Sequence, residues 1–140
     1  MKKYKFFDHT ADVLFEAYGN NLSELFENAA LASQETQADL KNIKQKIIKK
    51  INLKNESIEM LLFDFLQELI YLKDKDKLLF SKFKVDIKKN KEYTLKAEAL
   101  GEKINMKKHE LKVDVKAVTL HNYYVKKIKN KWKTRIILDV

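Results

Sequence analysis

The pattern of apolar and polar residues changes period within the first forty positions. Residues 4–8 and 13–18 are rich in aromatic and β-branched side chains, which is typical of strands, and the residues between them predict a bend. After a Gly-Asn-Asn break, apolar residues recur at every third or fourth position, so a first helix is predicted over 22–36. Asn21, followed three residues later by Glu24, resembles a capping box at its start.

The middle of the chain carries the clearest helical signal. Residues 43–54 alternate isoleucine with lysine and predict a half-buried strand with a bulge, with a short helix as the alternative. A second helix is predicted from Ile58 to about Lys73, before a polar turn. Its apolar stripe consists of Ile58, Leu61, Leu62, Phe65, Leu66, Leu69 and Ile70. Outside that stripe, a solvated face is expected, with a partner-binding face as the alternative, at Glu59, Asp64 and Glu68.

From residue 79 onward the pattern is strand-like. The candidate strands are 79–88, 92–100, 109–116, 118–128 and 132–138. Hairpin turns are expected at Asn90-Lys91 and Asn130-Lys131. Two long helices with six or seven mostly antiparallel strands predict an α+β fold, a two-layer sandwich with both main helices on one face of the sheet. Because there is no proline, no linker and no repeat, residues 1–140 are expected to form a single domain.

Composition excludes several classes of site. The chain has no cysteine, so disulfides, thiolate metal sites and a cysteine nucleophile are ruled out, and a reducing compartment suits it. No apolar run approaches the roughly 20 residues of a membrane span, and a signal peptide is not evident. We therefore expect a cytoplasmic protein with no membrane partner. Two distant glycines exclude a P-loop or dinucleotide fingerprint, and no Gly-x-Ser-x-Gly elbow occurs.

The charge of the chain leaves its partner open. The net charge is +9 and the pI about 9.5, as in many nucleic-acid-binding proteins. Only Arg135 among the 29 basic residues is arginine, the side chain best suited to phosphates and bases. A solvated lysine surface explains the charge as readily as an RNA-facing one, and no DNA partner is expected. Core or sheet-cover positions, rather than base-stacking ones, are expected for Phe63, Phe65, Tyr123, Tyr124 and Trp132.

Carboxylates mark two strand ends. Asp12 precedes the second predicted strand, and Asp139 follows the last one. If these strands are neighbours, Asp12, Asp139 and the terminal carboxylate of Val140 converge. Such hard oxygen donors suit Ca²⁺, Mg²⁺ or Mn²⁺ rather than zinc. With so few donors, the coordination must be completed by waters, by a partner, or by another carboxylate such as Asp8 or Asp39.

The other chemically active side chains allow two readings each. His9, His109 and His121 are not spaced as a zinc set. His9 is expected to bond the local backbone, or alternatively to orient Asp12, and His121 to orient a strand neighbour. Lys116 either extends to water or pairs with a carboxylate or a partner. A hydrolase in which the two strand-end aspartates activate water is a further alternative, but no general base is evident beside them.

Short stretches along nearly the whole chain resemble the archease family. They are residues 7–12 (FDHTAD), 15–19 (FEAYG), 25–30 (LFENAA), 61–71 (LLFDFLQELIY), 101–102 (GE), 115–119 (VKAVT), His121 and 136–140 (IILDV). Each stretch alone is weak, but their order and spacing together are specific. The chain departs from the family pattern at Leu120, where tyrosine is frequent, at Asn105, where an acid is frequent, and over the polar residues 32–36.

The resemblance implies an accessory protein and not an enzyme. It implies activation of the GTP-dependent tRNA-splicing RNA ligase, which joins a 2′,3′-cyclic phosphate or 3′-phosphate end to a 5′-hydroxyl. Activation consists of promoting ligase guanylylation and multiple turnover. The resemblance also implies a metal site on Asp12, Asp139 and a main-chain or terminal oxygen of Val140, usually holding calcium. The expected partner is the ligase, and any RNA contact is expected to be indirect.

One alternative function belongs to another class. A basic single-stranded RNA-binding or chaperone-like module, in which the sheet itself holds RNA, also fits the charge and the sheet aromatics. The sequence leaves open the identity of the metal, the oligomeric state, the surface that meets the ligase, and the roles of Asp39, His9 and Lys116.

Overall fold

A computed structural model describes residues 2–140, which contain two long helices and seven strands. The strands are β1 (Tyr4–Phe7), β2 (Val13–Gly19), β3 (Ile47–Asn55), β4 (Leu78–Lys89), β5 (Tyr93–Lys103), β6 (Ala117–Ile128) and β7 (Lys131–Asp139). The helices are α1 (Leu22–Glu35) and α2 (Ile58–Asp76), with a short 3₁₀ turn at Leu40–Asn42. Both helices were predicted, and their ends differ from the prediction by no more than three residues.

The strands form two antiparallel sheets. The four-stranded sheet has the order β1-β2-β7-β6, and the three-stranded sheet has the order β3-β5-β4. Both helices contact strands of both sheets, and one cluster of buried apolar side chains joins all of these elements. The predicted α+β sandwich is confirmed, with its strands divided between two sheets. Neither helix in residues 2–140 is long and apolar enough to cross a membrane.

Local capping sets where the helices begin. The Asn21 side chain accepts a hydrogen bond from the Glu24 N–H at 2.8 Å, and the Glu24 carboxylate accepts one from the Asn20 N–H at 3.2 Å. The predicted capping box is thus present, except that its carboxylate reaches the residue before the cap. Helix α2 begins in the same way, because the Ser57 hydroxyl accepts from the Met60 N–H at 3.2 Å.

Side chains of α1 cover the open edge of β4. An edge strand presents unpaired N–H groups that would otherwise recruit another chain. Three of them donate to α1: Phe80 to Gln34 at 2.9 Å, Val85 to Glu27 at 2.8 Å and Ile87 to Ser23 at 3.1 Å. These hydrogen bonds hold α1 along β4, and they also shield the edge of β4 from pairing with another chain.

Two sequence predictions fail in this part of the molecule. The bulge predicted in 43–54 is absent from β3, which pairs with β5 in continuous register, and a bulge lies instead in β4 between Phe80 and Lys82. The predicted strand 109–116 is wrong. Residues 104–116, the connecting segment, run as turns and irregular backbone before β6. Their alternating pattern suggested a strand, but distant side chains hold them, as described below.

Gly101 lies where β5 passes the bulge of β4. A Cβ at this position would be 1.9 Å from the Leu79 carbonyl oxygen and 2.7 Å from the Phe80 Cα. Both neighbours are backbone atoms, so the strands would have to separate to admit a side chain.

Gly101→Ala is therefore expected to lower the free energy of unfolding by about 1–3 kcal/mol through overpacking. Urea unfolding measures the change. Thr94→Ala, at the far end of the same strand, is the control and should stay within about 0.5 kcal/mol of the parent protein. An unchanged urea midpoint for Gly101→Ala would contradict the predicted clash.

Candidate metal centre at the strand ends

The end of the four-stranded sheet brings Asp12 and Asp139 to neighbouring positions. β2 and β7 pair as far as Val13 and Leu138, so the antiparallel register, continued by one residue, sets Asp12 opposite Asp139. On the other side of β7, the Lys116 N–H donates to the Asp139 carbonyl oxygen at 2.8 Å. The main chain of Asp139 is therefore fixed by its neighbours.

Both carboxylates belong to the same face of this sheet. Phe15 and Ile136 pair with each other in the core, and both are fully buried. Because side chains alternate along a strand, Asp12 and Asp139, each three residues away, fall on the opposite side. We call this side the outer face. Asp139 is exposed, Asp12 and Val140 are half-buried, and no hydrogen bond or ion pair within residues 2–140 occupies either carboxylate.

A strained bend precedes Asp12. The Asp12 N–H donates to the Thr10 carbonyl oxygen at 2.9 Å, and Ala11 has a φ of 71°, in the left-handed region that residues other than glycine rarely adopt. Asp8 and His9 lie exposed in the same bend. Neither the backbone hydrogen bond nor the contact with Asp12 suggested for His9 is found within the described residues.

The oxygen donors form an incomplete set. Among residues 2–140, no three His, Cys, Asp or Glu side chains gather so as to hold a metal ion. Asp39, a candidate for the extra carboxylate, lies 3.1 Å from the Lys112 ammonium and is committed to that ion pair. Two carboxylates with the main-chain oxygen of Val140 suit a hard divalent cation by their chemistry, with waters or a partner supplying the remaining ligands.

A buried lysine positions the segment beside this centre. Lys73, on the last turn of α2, is 5% exposed and forms an ion pair with Asp114. Its ammonium also donates to the Val115 carbonyl oxygen at 2.6 Å. A buried ammonium requires such partners, so the connecting segment is held where it enters β6. Lys116 follows Val115 directly, and its backbone N–H is bonded to Asp139. The contacts of Lys73 therefore also help to position the strand ends.

The remaining candidates lie away from the strand ends or in solvent. Lys116 has an exposed side chain with no ion pair inside residues 2–140, which leaves it available to a partner. His121 is exposed in a bulge of β6. On α2, the Glu59 carboxylate accepts from the Ser57 hydroxyl at 2.9 Å, so this acidic residue serves the helix start.

Sequence reasoning missed a second polar cluster, around Glu102 on β5. Glu102 is 6% exposed and accepts from the Lys108 ammonium at 2.6 Å and the Lys44 N–H at 2.7 Å. The ring nitrogen Nδ1 of buried His109 accepts from the Asn105 N–H at 2.9 Å. Nε2 of His109 therefore carries the proton and donates to Glu102 at 3.0 Å. The only available signal was the family-like Gly-Glu pair, which does not reveal its partners.

These bonds change the acidity of Glu102. Burial opposes ionisation of its carboxyl group, but hydrogen bonds from Lys108, Lys44 and His109 outweigh burial and lower the pKa from 4.5 to about 2. The ionised form therefore ties the C-terminal end of the Asn105–His109 turn, Lys108 and His109, to β5.

Removal of this charge is expected to change the acid sensitivity of the fold. The folded pKa of Glu102 lies below the unfolded value, so its ionised carboxylate stabilises the protein above pH 4.5, and this stabilisation is lost as the pH falls towards 2. Glu102→Gln should reduce stability by about 1–3 kcal/mol at neutral pH and flatten the acid dependence. Urea unfolding across this pH range tests the prediction. Glu110→Gln, which changes an exposed residue, is the control. Parallel pH profiles for the parent protein and Glu102→Gln would refute the assignment.

Comparison with known proteins agrees with the fold and with the family pattern. The archease family model matches residues 4–140. The archease of Sulfolobus acidocaldarius is 41% identical over 140 residues and the full length of both chains. That of Methanosarcina barkeri is 40% identical over 141 residues, covering 99% of this chain and 97% of the relative.

Solved structures give the same result. The solution structure of protein 1598 from Methanobacterium thermoautotrophicum is 41% identical, with a TM-score of 0.89 over the full length of both chains. The crystal structure of a Thermotoga maritima archease, described as a possible chaperone, has a TM-score of 0.64, covers 97% of this chain and 96% of its own, and at 23% identity supports the fold alone. From the family match and the full-length relatives together, the chain belongs to the archease family.

Proposed function

We propose that this chain is an accessory protein that activates a GTP-dependent tRNA-splicing RNA ligase by promoting its guanylylation and multiple turnover. In this proposal the strand-end site, formed by Asp12, Asp139 and the main-chain oxygen of Val140, binds a divalent cation, with calcium expected first. The observation that carries the proposal is the pairing of β2 with β7, which sets Asp12 and Asp139 at adjacent strand ends in a member of the archease family. The resemblance supports the ligase as the partner, and the adjacent positions of the two aspartates support a cation site.

Electrostatics supports a cation at this position. Like charges placed directly opposite each other on adjacent strands destabilise a sheet. No described basic side chain pairs with Asp12 or Asp139, so nothing from residues 2–140 neutralises them. A divalent ion would turn this repulsion into a favourable interaction. Calcium accepts six to eight oxygen ligands in flexible geometry, so it tolerates a site completed largely by water.

The openness of the site supports an accessory role. A centre that lacks several ligands can take them from a second protein, and exposed Asp139 stands at a sheet end that a partner can approach. Lys116, beside it, presents an ammonium to a phosphate or a carboxylate of that partner. The hydrogen bond from Lys73 holds the main chain next to Lys116 in place. Few residues would therefore lose conformational freedom when a partner docks.

Calcium titration by calorimetry tests the cation site. The parent protein is expected to bind one ion, and Asp12→Asn and Asp139→Asn should each weaken binding at least about tenfold, because each removes a charged ligand. Asp86→Asn, an exposed aspartate on the other sheet with the same charge change, is the control. Equal affinity in all four proteins would exclude the strand ends as the site.

Ligation with limiting ligase tests the activator role. With an RNA carrying a 2′,3′-cyclic phosphate and a 5′-hydroxyl partner, the parent protein should raise the yield above one product per ligase. Asp12→Asn and Asp139→Asn should leave the yield near stoichiometric, whereas Asp86→Asn should stimulate normally. A ligase that stays stoichiometric with the parent protein removes the proposal. Full stimulation by both strand-end variants removes the role of the cation site.

A further inference from the structure

Within the described part of the chain, no helix or strand packs over the outer face of the four-stranded sheet. The helices contact the opposite side, where the core cluster lies. One row of paired residues crosses all four strands of the outer face: Lys5, Glu16, Arg135 and Tyr124. The next row, further from the strand-end site, is Tyr18, Lys133 and Lys126. Four cations and two aromatic rings therefore surround a single carboxylate.

That carboxylate lies beneath the basic groups. Glu16 is 5% exposed and accepts from the hydroxyls of Tyr18 at 3.0 Å and Tyr124 at 3.3 Å. It also accepts from Arg135 at 3.3 Å, and the Lys133 ammonium lies at the same distance. Burial opposes its ionisation, but bonds from Tyr18, Lys133 and Arg135 prevail and lower its pKa. Glu16 thus fixes its neighbours in position and presents little negative charge to an incoming ligand.

Basic and aromatic groups alternate on the surface above it. The Lys126 ammonium lies 4.3 Å from the centre of the Tyr124 ring, and the Arg135 guanidinium lies 5.6 Å from it. At the β1 edge, the Lys5 ammonium lies 4.9 Å from the Phe7 ring. Phosphates bind cations, and unpaired bases stack on rings or on guanidinium planes, so this interleaving matches a single strand of nucleic acid.

A groove lined by four lysines over a mostly apolar surface continues the face at the β6–β7 hairpin. Among residues 2–140 no carboxylate lines this groove, whose described lining is Lys2, Tyr18, Ile128, Lys129, Asn130, Lys131, Trp132 and Lys133. From Lys133, the outward residues of β7 lead through Arg135 to Asp139, six residues or about 20 Å away. The basic residues therefore run from the groove to Arg135, and buried Ile137 lies between Arg135 and the strand-end site.

We propose that this outer face binds single-stranded RNA directly, with phosphates on Lys5, Lys126, Lys133 and Arg135 and a base on Tyr124. The strand follows β7 from the hairpin groove towards the strand-end site. Charge complementarity and stacking carry the inference, while the choice of RNA over DNA rests on the proposed function. The other sheet differs in burial: Glu98, which pairs between Lys50 and Lys84 on its outward side, is only half-buried, whereas Glu16 is buried.

Fluorescence anisotropy with a labelled, unstructured RNA of about ten nucleotides tests the proposal without any ligase. Lys5→Ala with Lys126→Ala should weaken binding and reduce the salt slope by about 1.4, since each phosphate contact on a single strand contributes about 0.7. Lys50→Ala with Lys84→Ala, the control with the same charge change, should keep the parent slope. Tyr124→Ala should weaken binding about fivefold or more, and Tyr124→Phe should bind normally because it keeps the ring.

Three outcomes overturn the proposal: no binding by the parent protein at low salt, equal losses in the two lysine pairs, or an equal loss in Tyr124→Phe and Tyr124→Ala. Equal affinity for DNA of the same sequence overturns the choice of RNA. Thermal unfolding of each variant separates lost contacts from lost fold. Because ligation and guanylylation are not measured, a failure here is distinct from a failure of the ligase proposal.

Discussion

The pairing of β2 with β7 is the constraint on which the rest of the molecule depends. Seven consecutive pairs, from Val13 with Leu138 to Gly19 with Trp132, fix the register of the two central strands. A slip of one residue would exchange the two faces of either strand. The same register therefore buries Phe15 against the helices, places Arg135 beside Glu16 on the outer face, and sets Asp12 opposite Asp139. The core, the outer face and the strand-end site therefore all depend on the pairing of β2 with β7.

The connecting segment beside these two strands is held by buried polar side chains from other elements of the fold. Lys73 binds the segment before β6, and Glu102 binds the turn at the start of the same segment. Removing a buried ammonium or carboxylate from water costs several kcal/mol unless partners replace the water. The partners come from 104–116, so that segment is ordered without belonging to a sheet, and it delivers Lys116 to Asp139.

Elements set by interactions between residues close in sequence were predicted correctly, whereas features set by contacts between distant side chains were not. The helices were predictable because their apolar period and the cap at Asn21 are local signals. The strand predicted over 109–116 is wrong because contacts with Lys73 and Glu102, rather than pairing with a neighbouring strand, hold this segment, and no local pattern reveals those contacts. The sheet-cover position expected for Tyr124 depends on a bulge after Thr119, which turns Tyr123 to α2 and leaves Tyr124 outward. The sequence placed Asp12 near Asp139 only on the condition that their strands are neighbours; the pairing of β2 with β7 meets that condition, and the cation site stays a prediction.

Charge is distributed unevenly along the outer face, and this links the two proposals. Cations occupy the end near the hairpin, whereas Asp12 and Asp139 occupy the other end, so a phosphate moving along β7 meets attraction first and repulsion last. A divalent ion at the strand ends would reverse the sign of that last step. RNA reaching the strand-end site and a cation bound there would then favour each other, because each lowers the electrostatic cost of the other. The paired strands β2 and β7, which align Arg135 with Glu16, are the element through which this coupling would act.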